Sequence, residues 1–80
     1  MTDDVRRLVG RNVKRLRKGA GLTQATLAER MGVDRAYVSG LELGQRNPTV
    51  LTLWHISKAL GVGLQGFFDE EKPRRRPSRG

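Results

Sequence analysis

Apolar residues at Val5, Leu8, Val9, Val13 and Leu16 recur three and four positions apart, while Arg6, Arg7, Arg11, Lys14, Arg15 and Lys18 occupy the other faces. This period predicts an amphipathic first helix from Val5 to Lys18. Asp3 and Asp4 stand at its start, where the helix dipole favours negative charge, and Gly19 and Gly21 follow its end. A second helix of about nine residues follows Thr23, a good N-cap, with Leu27, Ala28 and Met31 on one face and Gly32 as the turn residue. Asp34 caps a third, which sends Val38 and Leu41 inward, leaves Arg35, Ala36, Ser39 and Gly40 on the opposite side and ends at Gly44. After the polar loop Gln45, Arg46, Asn47 and Pro48, Thr49 caps a fourth helix whose Val50, Leu53, Ile56 and Leu60 share a face before Gly61. Val62, Leu64, Phe67 and Phe68 make a short fifth helix, with Gly63 and Gly66 working against its regularity.

From Asp69 the composition shifts to charge and proline. The segment from Lys72 to Gly80, KPRRRPSRG, has no apolar residue beyond its prolines and cannot offset the entropy of ordering. Residues 1–71 are therefore expected to form one domain and 72–80 a disordered basic tail. Eighty residues close a single core, which makes a multi-step enzyme a poor fit, and dimerisation could add the stability a small core lacks. The fold expected is all-α, a five-helix bundle.

Sixteen Lys and Arg against eight Asp and Glu leave a net charge of +8, which favours nucleic acid, an anionic membrane or an acidic protein as partner. There is no secretory h-region and no apolar run long enough to span a bilayer. The chain has no cysteine, which excludes disulfides, thiolate metal sites and cysteine nucleophiles and is compatible with a reducing, cytoplasmic setting. The single histidine, His55, lacks the second ligand or carboxylate pair of a metal or catalytic site and reads as a surface residue. Ser39 and Ser57 have no base at a useful spacing. No catalytic residue, metal or cofactor is therefore expected.

What charge leaves open, the second and third helices narrow. A helix-turn-helix needs a small residue where its helices touch, glycine in the turn and branched residues in the wedge, and Ala28, Gly32, Val38 and Leu41 meet those needs. Such a unit projects a rigid helix of major-groove width from a basic domain.

From Leu22 to Val62 the chain resembles the Cro and lambda-repressor type (XRE-like) helix-turn-helix family. The likeness lies in T-Q-x-x-L-A, the G-V pair, Y-V-S-x-L-E, the G-x-R-N-P loop and the closing A-L-G-V. Within that family DRAYVSGLE and GQRNPT look most like the small controller proteins of restriction-modification systems, which act as dimers on their own operon. The resemblance implies a lambda-repressor-like bundle in which the third helix enters the major groove while the start of the second, at Thr23 and Gln24, grips the backbone. Gln24 matches the family's phosphate-clamping glutamine. Arg35 matches the first groove-facing position, where an arginine pairs with guanine O6 and N7. Ala36 can meet a thymine methyl, Tyr37 and Ser39 can reach phosphate or base edge, and Arg46 and Asn47 lie in the loop that approaches the backbone. Arg17 and Glu42 match positions that form a partly buried ion pair.

Three departures from the family pattern carry expectations of their own. Thr26 replaces a glutamate and leaves the capping box of the second helix incomplete, while Gly40 replaces a longer polar residue and removes a potential base contact. Leu51 and Trp54 occupy commonly polar positions of the fourth helix. They point to a homodimer interface with Phe67 nearby, or else Trp54 only covers the end of the core. The function expected is a sequence-specific regulator that binds a palindromic operator as a homodimer. Its partners would be duplex DNA, a second copy of the chain and RNA polymerase. The alternative is a protein-interaction module, such as an antitoxin-like subunit or an adaptor.

Overall fold

Leu27, Val38, Leu41, Ile56, Val13 and Phe67 are the side chains most completely withdrawn from solvent, and every helix among the described residues supplies at least one of them. The structure, a computed structural model, describes residues 2–70, with side chains described from Val5 onward. The expected basic tail at 72–80 lies outside the described residues. Four α-helices follow in order: α1 (Thr2–Gly19), α2 (Gln24–Met31), α3 (Arg35–Glu42) and α4 (Val50–Leu60). A single 3-10 turn, Leu64–Phe68, stands where a fifth helix was expected. With Gly63 and Gly66 within four residues, the segment lacks the intrinsic preference to close an α-helical ladder, and it settles for a short i to i+3 turn. The chain is all-helical among the described residues.

All four α-helices end alike. Gly21, Gly32, Gly44 and Gly61 each adopt positive φ, between 70° and 78°. In each case the N–H of the following residue returns to a carbonyl five residues back: Leu22 to Arg17, Val33 to Ala28, Gln45 to Gly40, Val62 to Ser57, at 2.8–3.1 Å. These are Schellman closures, which satisfy carbonyls that a helix end would otherwise orphan. Leu22, Val33 and Val62 then pack against the core, but the fourth closure delivers Gln45 and turns the chain outward into Arg46.

The helix starts are also paired. In α2 the Thr26 amide donates to the Thr23 hydroxyl at 3.0 Å and the two hydroxyls share a hydrogen bond of 2.9 Å; Thr49 and Thr52 repeat both contacts in α4 at 3.0 Å. Thr26 thus completes a cap of its own kind where a glutamate was missed. Asp34 stands at the N-cap of α3 as expected, but its carboxylate makes no capping hydrogen bond.

Several sequence assignments need correction. Helix α1 begins at Thr2, so Asp3 and Asp4 form its first turn, and α3 stops at Glu42, before Gly44. Val5 is 52% exposed and Val50 76%, because both precede the level at which their helices meet the core. Phe67 is fully enclosed and serves the core; the exposed phenylalanine at that end is Phe68. Gly40 lies buried and not on an open face.

Two buried features place α1. Asn12, six per cent exposed, donates both amide hydrogens to the Phe67 and Asp69 carbonyls (2.8 and 2.9 Å) and accepts from Arg15 at 2.9 Å. It ties the C-terminal segment to α1. Gly10 meets α3, where a Cβ would overlap the Leu41 carbonyl oxygen and stand 2.8 Å from that of Glu42.

Candidate nucleic-acid interface

Helices α2 and α3 are set against each other by the Gly32 turn and by Leu27, Ala28, Val38 and Leu41, all buried. A second constraint is polar. The Arg17 guanidinium of α1 makes a two-point contact with Glu42 of α3, Nε to Oε2 at 2.6 Å and Nη2 to Oε1 at 3.1 Å. Its Nη1 also donates to the Leu22 carbonyl at 2.8 Å. Both residues are buried, and Glu42, by hydrogen bonding and by charge, holds the Arg17 guanidinium above its ordinary pKa against the opposing cost of burial. The expected ion pair is therefore present, and it fixes the C-terminal end of α3 to α1.

Glu42 does a second job that the sequence did not reveal. Its Oε1 also accepts from the Gln24 side-chain amide at 3.0 Å, which orients Gln24 at the first position of α2. One amide hydrogen and the side-chain carbonyl are left for an outside partner. Arg17, Glu42 and Gln24 thus form a continuous polar line from α1 through α3 to the start of α2.

The remaining sequence-assigned residues divide by exposure. Thr23, Arg35, Ala36, Arg46 and Asn47 are exposed, while Gln24, Tyr37 and Ser39 are half-buried. Arg35 and Ala36 open the N-terminal turn of α3. Tyr37 is not a free side chain, since the Arg46 guanidinium lies over its ring, 5.2 Å from the centroid. The loop and α3 are joined there. On α4, Leu51 and Trp54 are exposed (64% and 46%), and the Lys58 ammonium covers the indole at 4.2 Å. Arg7, Arg11, Lys14, Arg15 and Lys18 are exposed on α1 and add positive field.

Sequence reasoning missed Gly10, Asn12 and the link from Gln24 to Glu42. Asn12 had a signal: it falls three residues after Val9 on the core stripe, where a polar residue implies an internal partner. Among the described residues no cluster of His, Cys, Asp or Glu could hold a metal, and no helix is long and apolar enough to cross a membrane.

Known proteins resemble this chain in sequence and in fold. The family model described as Helix-turn-helix matches residues 13–67. An uncharacterized HTH-type transcriptional regulator of Sinorhizobium fredii, y4dJ, is 52% identical over 59 residues, 74% of this chain and 77% of that protein. The control protein C.BamHI of Bacillus amyloliquefaciens is 36% identical over 70 residues, 86% of each chain. Among solved structures, the restriction-modification controller protein C.AhdI from Aeromonas hydrophila superposes with a TM-score of 0.75 at 37% identity, over 81% of this chain and 97% of that one.

Proposed function

The chain belongs to the helix-turn-helix family of DNA-binding transcriptional regulators, which are not enzymes, and from that premise we propose that it binds a two-fold symmetric operator as a homodimer. In this reading α3 enters the major groove with Arg35 and Ala36 toward the bases, and Thr23 and Gln24 hold the backbone. Tyr37, Ser39, Arg46 and Asn47 complete the contact surface. The observation that carries the reading is the polar line of Arg17, Glu42 and Gln24, because it holds a candidate phosphate donor and the groove helix in one rigid frame. The likeness to controller proteins supports an operator in the regulator's own promoter.

Selection of bound duplexes from a random pool, followed by sequencing, tests this directly. A palindromic consensus is expected, with half-sites about 34 Å apart, one helical turn; enrichment without any consensus would refute it. On the selected duplex, Arg35→Ala should cost about 1–3 kcal/mol and relax preference at one position per half-site. A uniform loss across all sequences would instead make Arg35 a phosphate contact.

Dimerisation is assigned to the exposed face of α4. Leu51 and Trp54 are three apart, neither fills the core, and an exposed indole beside leucine suits the centre of an isologous interface. Phe67 takes no part, being enclosed within its own chain. Trp54→Ala is expected to give a folded monomer with much weaker operator binding. Sedimentation and circular dichroism decide the matter: a variant that stays dimeric, or one that unfolds, removes Trp54 from the interface.

A further inference from the structure

Gly40 sits in the middle of α3, on the side expected to face DNA, yet it is buried. Arg46 covers the place its side chain would take. A Cβ built on Gly40 would stand 3.2 Å from Arg46 Nε, 3.4 Å from its Cγ and 3.8 Å from its Cδ, so the arginine stem runs directly across the glycine. One turn earlier on the same helix the guanidinium reaches the Tyr37 ring, 5.2 Å from its centroid. The start of the loop is pinned from below, since the Gln45 amide donates to the Gly40 carbonyl at 2.8 Å. Residue 45 is thereby fixed, and the next side chain has a defined origin.

We propose that Gly40 is a positioning residue for DNA recognition: its missing side chain forms the channel through which Arg46 is laid along α3 and stacked on Tyr37. The surface offered to DNA is then a composite of helix and loop. Its cation comes from residue 46 and occupies the place a side chain at residue 40 would have taken. The sequence suggested that Gly40 leaves α3 one contact short; the geometry points to a contact supplied from elsewhere. Glycine costs helix propensity at this position, so its presence mid-helix calls for a spatial reason, and the arginine stem provides one. An arginine held in place over an aromatic ring also loses less side-chain freedom on binding than a mobile one.

This inference rests on the operator-binding reading above, and its test separates the two. The probe is the duplex recovered by selection with the unaltered chain; if no consensus is recovered, the operator reading itself fails and this inference falls with it. Given a consensus, Gly40→Leu, Arg46→Ala and the double variant form a cycle. Leucine fills the channel and is a good helix former, so Gly40→Leu should keep its helical circular dichroism and its thermal midpoint. It should lose operator affinity by roughly tenfold, as Arg46→Ala does. The double variant should bind no worse than Arg46→Ala alone, because Gly40 acts only through Arg46. Should Gly40→Leu misfold, Gly40→Ala closes the same cycle, its Cβ crowding the stem at 3.2 Å. Additive losses in the double variant, or full affinity in Gly40→Leu, would overturn the proposal.

Discussion

Glu42→Ala is expected to destabilise the protein by about 3–5 kcal/mol, the range for a buried ion pair that loses one partner. The loss exceeds that of a surface pair, about 0–1 kcal/mol, because the Arg17 guanidinium stays behind, buried, with only the Leu22 carbonyl to meet it. For a domain of this size that is a large share of total stability. Arg17 carries its charge throughout the usable pH range. Glu42 raises its folded pKa, so the stabilisation it represents is complete below the unfolded value and fades only as pH climbs through the folded one, far on the alkaline side.

The consequence for DNA binding separates from the consequence for stability. Replacing both partners, Arg17→Met with Glu42→Leu, removes the stranded charge and should recover most of the lost stability. It leaves the Gln24 amide without its anchor, so affinity for DNA should stay low. Urea denaturation and operator titration of the single and the double variant check the two halves independently. If Glu42→Ala loses less than about 1 kcal/mol, the pair is solvated and does not hold α3.

Much of this was legible in the sequence, and the reasons are local. The glycine at each helix end, the threonine before α2 and α4, and the stripe Leu27, Val38, Leu41, Leu53, Ile56 and Leu60 follow from backbone conformation and period. Both are properties of neighbouring residues. The errors fell where a distant part of the chain decides. Val50 fits the period of α4 but is its first residue, ahead of the level at which the helix meets the core, and it stays exposed. Phe67 and Phe68 are adjacent and equally apolar, and only the direction of the 3-10 turn chooses which is enclosed. Gly40 looked like an empty place on an exposed face because the arginine that fills it comes from six residues on, around a turn. Gln24 could be placed at the head of α2 from its motif, but its bond to Glu42 depends on the angle between α2 and α3, which no spacing encodes.

Gly10→Ala tests how α3 is seated on α1, and it should lower stability even though alanine is the better helix former by about 1 kcal/mol. The added methyl meets the carbonyl oxygens of Leu41 and Glu42, which are backbone atoms and cannot turn aside. Helices α1 and α3 must separate, at an overpacking cost of about 1–3 kcal/mol or more. A shift of α3 would also stretch the contact from Arg17 to Glu42, now 2.6 Å, and the penalty should therefore exceed the gain in propensity. The thermal midpoint is expected to fall by roughly 10 °C. Gly19→Ala is the control, being the same substitution at the last residue of the same helix, where a Cβ would meet nothing within 4 Å. That variant should melt at or above the unaltered protein. Operator affinity should fall for Gly10→Ala and hold for Gly19→Ala, since only the first shifts α3, the helix proposed to enter the groove. Equal melting of the two variants would mean that α1 and α3 do not approach this closely, and the frame assigned to Arg17, Glu42 and Gln24 would lose its foundation.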